Sequence, residues 1–108
     1  MTISNLMIMI VLPKCINRWE SHWVQLKRIG LLAIYSQRGE HGAKHYNVVI
    51  IRHRKENLKF RTPEKEALPS AEEWGMYGWT YQNEESAHKK FETLLDQGKD
   101  KKRQKNND

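Results

Sequence analysis

Cysteine is nearly absent from this chain: Cys15 stands alone. One thiol permits no internal disulfide and no cysteine-based zinc site, and it suits a reducing compartment, so the expected location is the cytoplasm. Long hydrophobic runs are missing as well. The longest, Leu6 to Leu12, is too short to cross a bilayer. No Lys or Arg precedes it and no small-x-small site follows, so it does not read as a signal peptide. Residues 1–15 are instead expected to be an apolar strand or N-terminal extension, with Met7 and Met9 leaving the start of translation open. The glycine patterns of a P-loop, a Rossmann turn or a nucleophile elbow are also lacking. His41 and His45 are four apart, but Gly42 lies between them in a turn-like stretch. Cys15 and His22 have no companion pair of ligands. Glu72 and Glu73 are adjacent, so their carboxylates diverge and suit a helix start better than an acid/base pair. The expectation is a protein with no catalytic residues, no metal, no cofactor and no enzymatic activity.

What remains is lean and basic. Apolar residues make up 38% of 108, which limits the chain to one modest core in a single domain. The net charge of +6 favours anionic partners such as nucleic acid or acidic protein surfaces. The single domain is expected over residues 16–98. Residues 99–108 contain no apolar side chain and carry +3, which reads as a disordered basic tail.

Ile16, Trp19, Trp23 and Leu26 recur at helical spacing, which predicts a short amphipathic helix within residues 16–28. Residues 29–35 and 45–54 read as a β-hairpin around the glycines at 39 and 42. In the second of these strands both faces are apolar in the middle, as in a central strand covered on both sides. A polar connector, 55–69, ends at Pro69. Ser70 and Glu73 have the spacing of a capping box, and Gly75 can stop the turn they begin. Tyr77, Trp79 and Tyr81 alternate as a third strand. Asn83 then offers an N-cap, and Ala87, Phe91, Leu94 and Leu95 form one apolar stripe up to Gly98. The expected fold is α+β: a small antiparallel sheet of about three to four strands against a C-terminal helix, with a short N-terminal helix.

The run Trp74-Gly75-Met76-Tyr77-Gly78, followed by the helix containing Ala87-His88-Lys89-Lys90-Phe91, resembles the WGR domain. That family is a small β-rich module of DNA-damage-activated ADP-ribosyltransferases and bacterial proteins. The resemblance implies a twisted antiparallel sheet with a helix packed on it. It also implies nucleic-acid contact, with Trp74 stacked on a sugar or base near a DNA end. It covers the second half of the chain, and Met76 stands where the signature has Arg.

Charge and rings independently suggest a similar partner. Residues 51–65 carry +4. Arg52, Arg54, Lys55, Lys59 and Arg61, joined by Lys89 and Lys90, are candidate phosphate contacts, with Trp74 as the exposed stacking ring. The expected function is non-enzymatic binding of DNA or RNA. The alternative is a small protein-binding accessory factor or inhibitor that uses its aromatic surface or the edge of its third strand.

Overall fold

The computed structural model describes residues 11–39, 42–59 and 61–101. The fold is α+β: a five-stranded antiparallel sheet packed on one C-terminal helix. The strands are β1 (Cys15–Arg18), β2 (Ser21–Ile29), β3 (Leu32–Arg38), β4 (Lys44–Ile50) and β7 (Gly78–Tyr81), side by side in the order β1-β2-β3-β4-β7. Between β4 and β7 the chain leaves the sheet as a two-stranded ribbon, β5 (Arg52–Arg54) with β6 (Lys65–Ala67). Most of residues 1–15 lie outside the described residues.

The short helix expected within 16–28 is not formed. That stretch is the β1–β2 hairpin, turned by Trp19 and Glu20 alone. The reason is a coincidence of periods. In a hairpin with a two-residue turn at 19–20, Ile16 pairs directly with Trp23. Residues seven apart share a face of a helix, and here they also share a face of the sheet. A register shift between Gln25 and Lys27 disturbs the later alternation that would have shown a strand. The turn residues give no warning. Both adopt positive φ, +54° at Trp19 and +58° at Glu20, in a place where Asn-Gly is the usual pair.

The β3–β4 hairpin forms as expected, with shifted bounds. Its first strand starts at Leu32 rather than residue 29, and its second ends at Ile50. Beyond Ile51 the chain turns off into the ribbon, so residues 45–54 are two strands in two sheets.

Strand β4 is central and covered on both faces. On one face Leu32, Ile34 and Val48 pack against Ala87, Phe91 and Leu94 of α1 (Glu84–Asp96), rimmed by Tyr46, Trp79 and Tyr81. The fully buried Phe91 ring contributes roughly 2–3 kcal/mol of transfer free energy. The expected helix signals all operate. Asn83 accepts the Ser86 N–H at 2.8 Å, Glu84 and Glu85 occupy the first turn, and Gly98 at φ +76° ends the helix.

On the other face Trp23, Ala33, Tyr35 and Val49 meet Ile51, Leu68 and Leu12. The ribbon is held over this face by Glu66. Its carboxylate accepts two N–H groups of Arg28, at 2.9 and 2.7 Å, and the Leu12 N–H at 3.0 Å. The Arg28 hydrogen bonds hold the Glu66 carboxyl below its ordinary pKa. Nearby, the Tyr35 hydroxyl donates to the Pro13 carbonyl and accepts from Gln25, each at 2.9 Å, while burial raises its pKa.

Residues 99–101 follow α1 in hydrogen-bonded turns. The Lys99 N–H reaches the Leu94 carbonyl, and the Asp100 carbonyl accepts the Leu31 N–H at 2.7 Å. The rest of the expected basic tail lies outside the described residues. Among those described, no helix is long and apolar enough to cross a membrane.

Candidate nucleic-acid interface

Trp74 is less free than its place in the sequence suggests. The Ser70–Glu73 element forms a short 3-10 turn at Ala71–Glu73 and delivers Trp74 onto the sheet. Its ring lies flat over Gly78, so close that a Cβ there would sit 2.5 Å from the ring. Glycine at 78 is thus required by packing. The Trp74 indole N–H donates to Thr80 Oγ1 at 3.1 Å. Its ring also meets Trp19 and Trp23 edge to face, with centroids 5.4 and 6.2 Å away. Trp74 is half-buried in a tryptophan cluster, and the exposed member of that cluster is Trp19.

Trp19 keeps 49% of its surface in solvent. Trp23 and Trp74 support it edge-on, and the Arg18 guanidinium lies 4.1 Å from its ring centroid. Arg18 is itself fixed by a hydrogen bond to the Pro69 carbonyl. The indole N–H of Trp23 is buried and has no polar partner among the described residues. Left-handed backbone at a non-glycine residue costs about 1–2 kcal/mol. Two consecutive residues of this kind place a large ring at the tip of a hairpin with about half of its surface still in solvent. Strain of that sort gathers at functional positions.

Beside this tip lies an open hollow of about 480 Å³, walled by Asn17, Arg18, Trp19, Ser21, His22 and Arg38, with Glu20 as the one carboxylate in its lining. From it a line of polar side chains crosses the sheet face. Gln37 donates to Ser21 Oγ at 3.2 Å and accepts from Asn47 Nδ2 at 2.8 Å. Thr80 donates to Asn47 Oδ1 at 2.6 Å and accepts the Trp74 N–H. This chain links β2, β3, β4 and β7 to the tryptophan cluster and fixes the orientation of each amide.

The basic residues singled out from the sequence do not converge on Trp74. Arg52 and Arg54 reach the residue before it, and both are bound there to Glu73, at 3.0 and 2.9 Å. The backbone N–H of Ser70 and the two guanidinium groups hold the Glu73 carboxyl at a pKa of about 2, so it stays charged and offsets them. Arg52 also stacks on Tyr77, 3.8 Å from the ring centroid. Lys55, Lys59 and Arg61 are exposed on the connector at the far end of the ribbon. Lys89 and Lys90 belong to α1, on the opposite face of the sheet from Trp74. Lys90 covers Trp79 at 4.3 Å, and Lys89 lies 4.0 Å from Glu85.

Sequence reasoning missed Trp19, Arg18 and Arg38. The turn that presents Trp19 has no glycine or asparagine to mark it, so only the register reveals the tip. The sheet edge at β7 is four residues long, and Gly75 already bonds the Gly78 carbonyl at 2.7 Å, which leaves little edge for a partner strand. Among the described residues no three His, Cys, Asp or Glu side chains gather as a metal site. No family model, curated protein or solved structure matches the chain.

Proposed function

We propose that the protein binds single-stranded or frayed nucleic acid, without chemistry on it, at the Trp19 end of the sheet. The observation that carries this reading is Trp19 itself: an indole half in solvent, held out on a left-handed turn, with Arg18 against its ring and Arg38 bordering the same hollow. A ring can stack on a base only where the base is unpaired or terminal, and the two guanidinium groups suit the adjoining phosphates. The net charge of +6 supplies long-range attraction. This reading keeps the ligand class that the WGR resemblance implies and moves the stacking ring from Trp74 to Trp19. Trp74 becomes the support behind it.

Fluorescence anisotropy with short single-stranded and duplex oligonucleotides, at two salt concentrations, tests the proposal. Single strands should bind more tightly, and affinity should fall with salt by a slope of about 0.7 per phosphate contact. Trp19→Ala should lower affinity at least about fivefold, in line with the ~1–3 kcal/mol of one stacked base, and Trp19→Phe should restore part of it. Trp74→Ala should instead lower the unfolding midpoint. No binding at low salt, or unchanged binding by Trp19→Ala, would refute the proposal.

A further inference from the structure

A second hollow, of about 680 Å³, opens at the other end of the sheet. Strand β3 separates the two: Arg38 borders the first, and Leu31, just before the strand, borders the second. Seven strand residues put them about 20 Å apart. The second hollow is within the size range of small-molecule sites and is less open than the first. It lies where the C-terminal end of α1, the start of the ribbon and the Met76–Tyr77 turn meet.

Its lining combines two chemistries. Leu31, Ile50 and Ile51 give an apolar floor, and Met76 and Tyr77 form one wall. Met76 is 68% exposed, and a thioether adapts well to the face or edge of an aromatic ring. The remaining wall is polar and basic: Arg52, His53, Gln97, Gly98, Lys99 and Lys101, with no acidic side chain in the lining. Two of these groups are already matched, Arg52 by Glu73 and His53 by Glu64 at 2.6 Å. Lys99 and Lys101 have no carboxylate partner among the described residues. Both are held by backbone hydrogen bonds, from the Lys99 N–H to the Leu94 carbonyl and from the Lys101 N–H to the Gly98 carbonyl. The Leu31–Asp100 bond ties the same segment to the floor.

We infer that this hollow binds a small aromatic phosphomonoester of the nucleoside-monophosphate kind. Its ring would lie against Met76, Tyr77 and the apolar floor, and its phosphate would meet Lys99 and Lys101. Two unmatched ammonium groups suit a group that carries about −1.5 to −2 at neutral pH better than a carboxylate. A thioether and an aromatic ring beside an apolar floor suit a flat aromatic body. The site is independent of the Trp19 surface and stands whether or not the chain binds polynucleotides.

The test is titration of the full-length, isotope-labelled protein with adenosine 5′-monophosphate, followed by amide chemical shifts. Parallel titrations use adenosine and inorganic phosphate. The expected result is saturable shifts at Leu31, Ile50, Met76, Tyr77 and Lys99, with either half of the ligand binding at least about tenfold more weakly than the whole. Lys99→Ala/Lys101→Ala should weaken the monophosphate at least about tenfold and leave adenosine binding unchanged. If the two lysines serve only to offset the helix C-terminus, that variant will be less stable but will bind the monophosphate as the parent does. That result overturns the inference. So does the absence of saturable shifts at these amides, or shifts confined to Trp19, Arg38 and their neighbours.

Discussion

Replacing Glu20 with glycine should make this protein more stable. Glu20 is exposed at the tip of the β1–β2 hairpin, where φ is +58°. Left-handed backbone at a residue with a Cβ costs about 1–2 kcal/mol. Glycine removes that cost but adds about 0.5–1 kcal/mol of chain entropy in the unfolded state. The net expectation for Glu20→Gly is a gain of about 0.5–1 kcal/mol. For a domain of this size that corresponds to a rise of about 2–4 °C in the unfolding midpoint. Glu20→Ala is the control, since it removes the same carboxylate and keeps the strained backbone. Thermal and urea unfolding followed by circular dichroism measure both variants. If Glu20→Gly is no more stable than Glu20→Ala, the left-handed turn is wrong, and with it the account of how Trp19 is presented. Glu20→Gly and Glu20→Ala should bind oligonucleotides alike, because both remove the same carboxylate from the hollow and leave the Trp19 ring in place.

Gly78→Ala would push a methyl group into the Trp74 ring, where the approach is 2.5–2.8 Å. It should cost about 1–3 kcal/mol in urea unfolding and shift the tryptophan emission as the cluster loosens. Glu73 gives a pH signature. Its pKa is lowered to about 2 in the folded state, so its stabilising effect is complete above the ordinary carboxylate value near 4.5 and is lost as pH falls from there to about 2. Solvent screens this pair, so the effect should be about 1–2 kcal/mol. Glu73→Gln should remove that part of the acid dependence, and an acid-unfolding profile unchanged by the substitution would contradict the Arg52–Glu73–Arg54 arrangement.

The readable parts of the sequence were those where one period has one meaning. Ala87, Phe91, Leu94 and Leu95 span a little over two turns, and no strand places such a set on one face, so α1 is evident, as are its Asn83 cap and Gly98 stop. The 3-10 turn with the Ser70–Glu73 contact was legible too, because its hydrogen bonds are local: the Ser70 N–H donates to the Glu73 carboxylate at 2.9 Å. Residues 16–28 were illegible because an interval of seven residues fits one helix face and one hairpin pair equally well.

The surroundings of the candidate site residues are illegible for a similar reason. A glycine neighbour and a nearby run of positive charge suggested that Trp74 was free and Arg52 and Arg54 available, but exposure and pairing are properties of the assembled surface. Composition and local pattern alone determined the basic charge, the α+β class and the C-terminal helix, since these follow from which side chains exist and from contacts within a few residues. Tertiary structure alone decided that Trp74 lies over Gly78, that Glu73 takes up two arginines, and that Trp19 and Arg38, nineteen residues apart, border one hollow. Each of these depends on strand register, and register is set by how both faces of the whole sheet are buried.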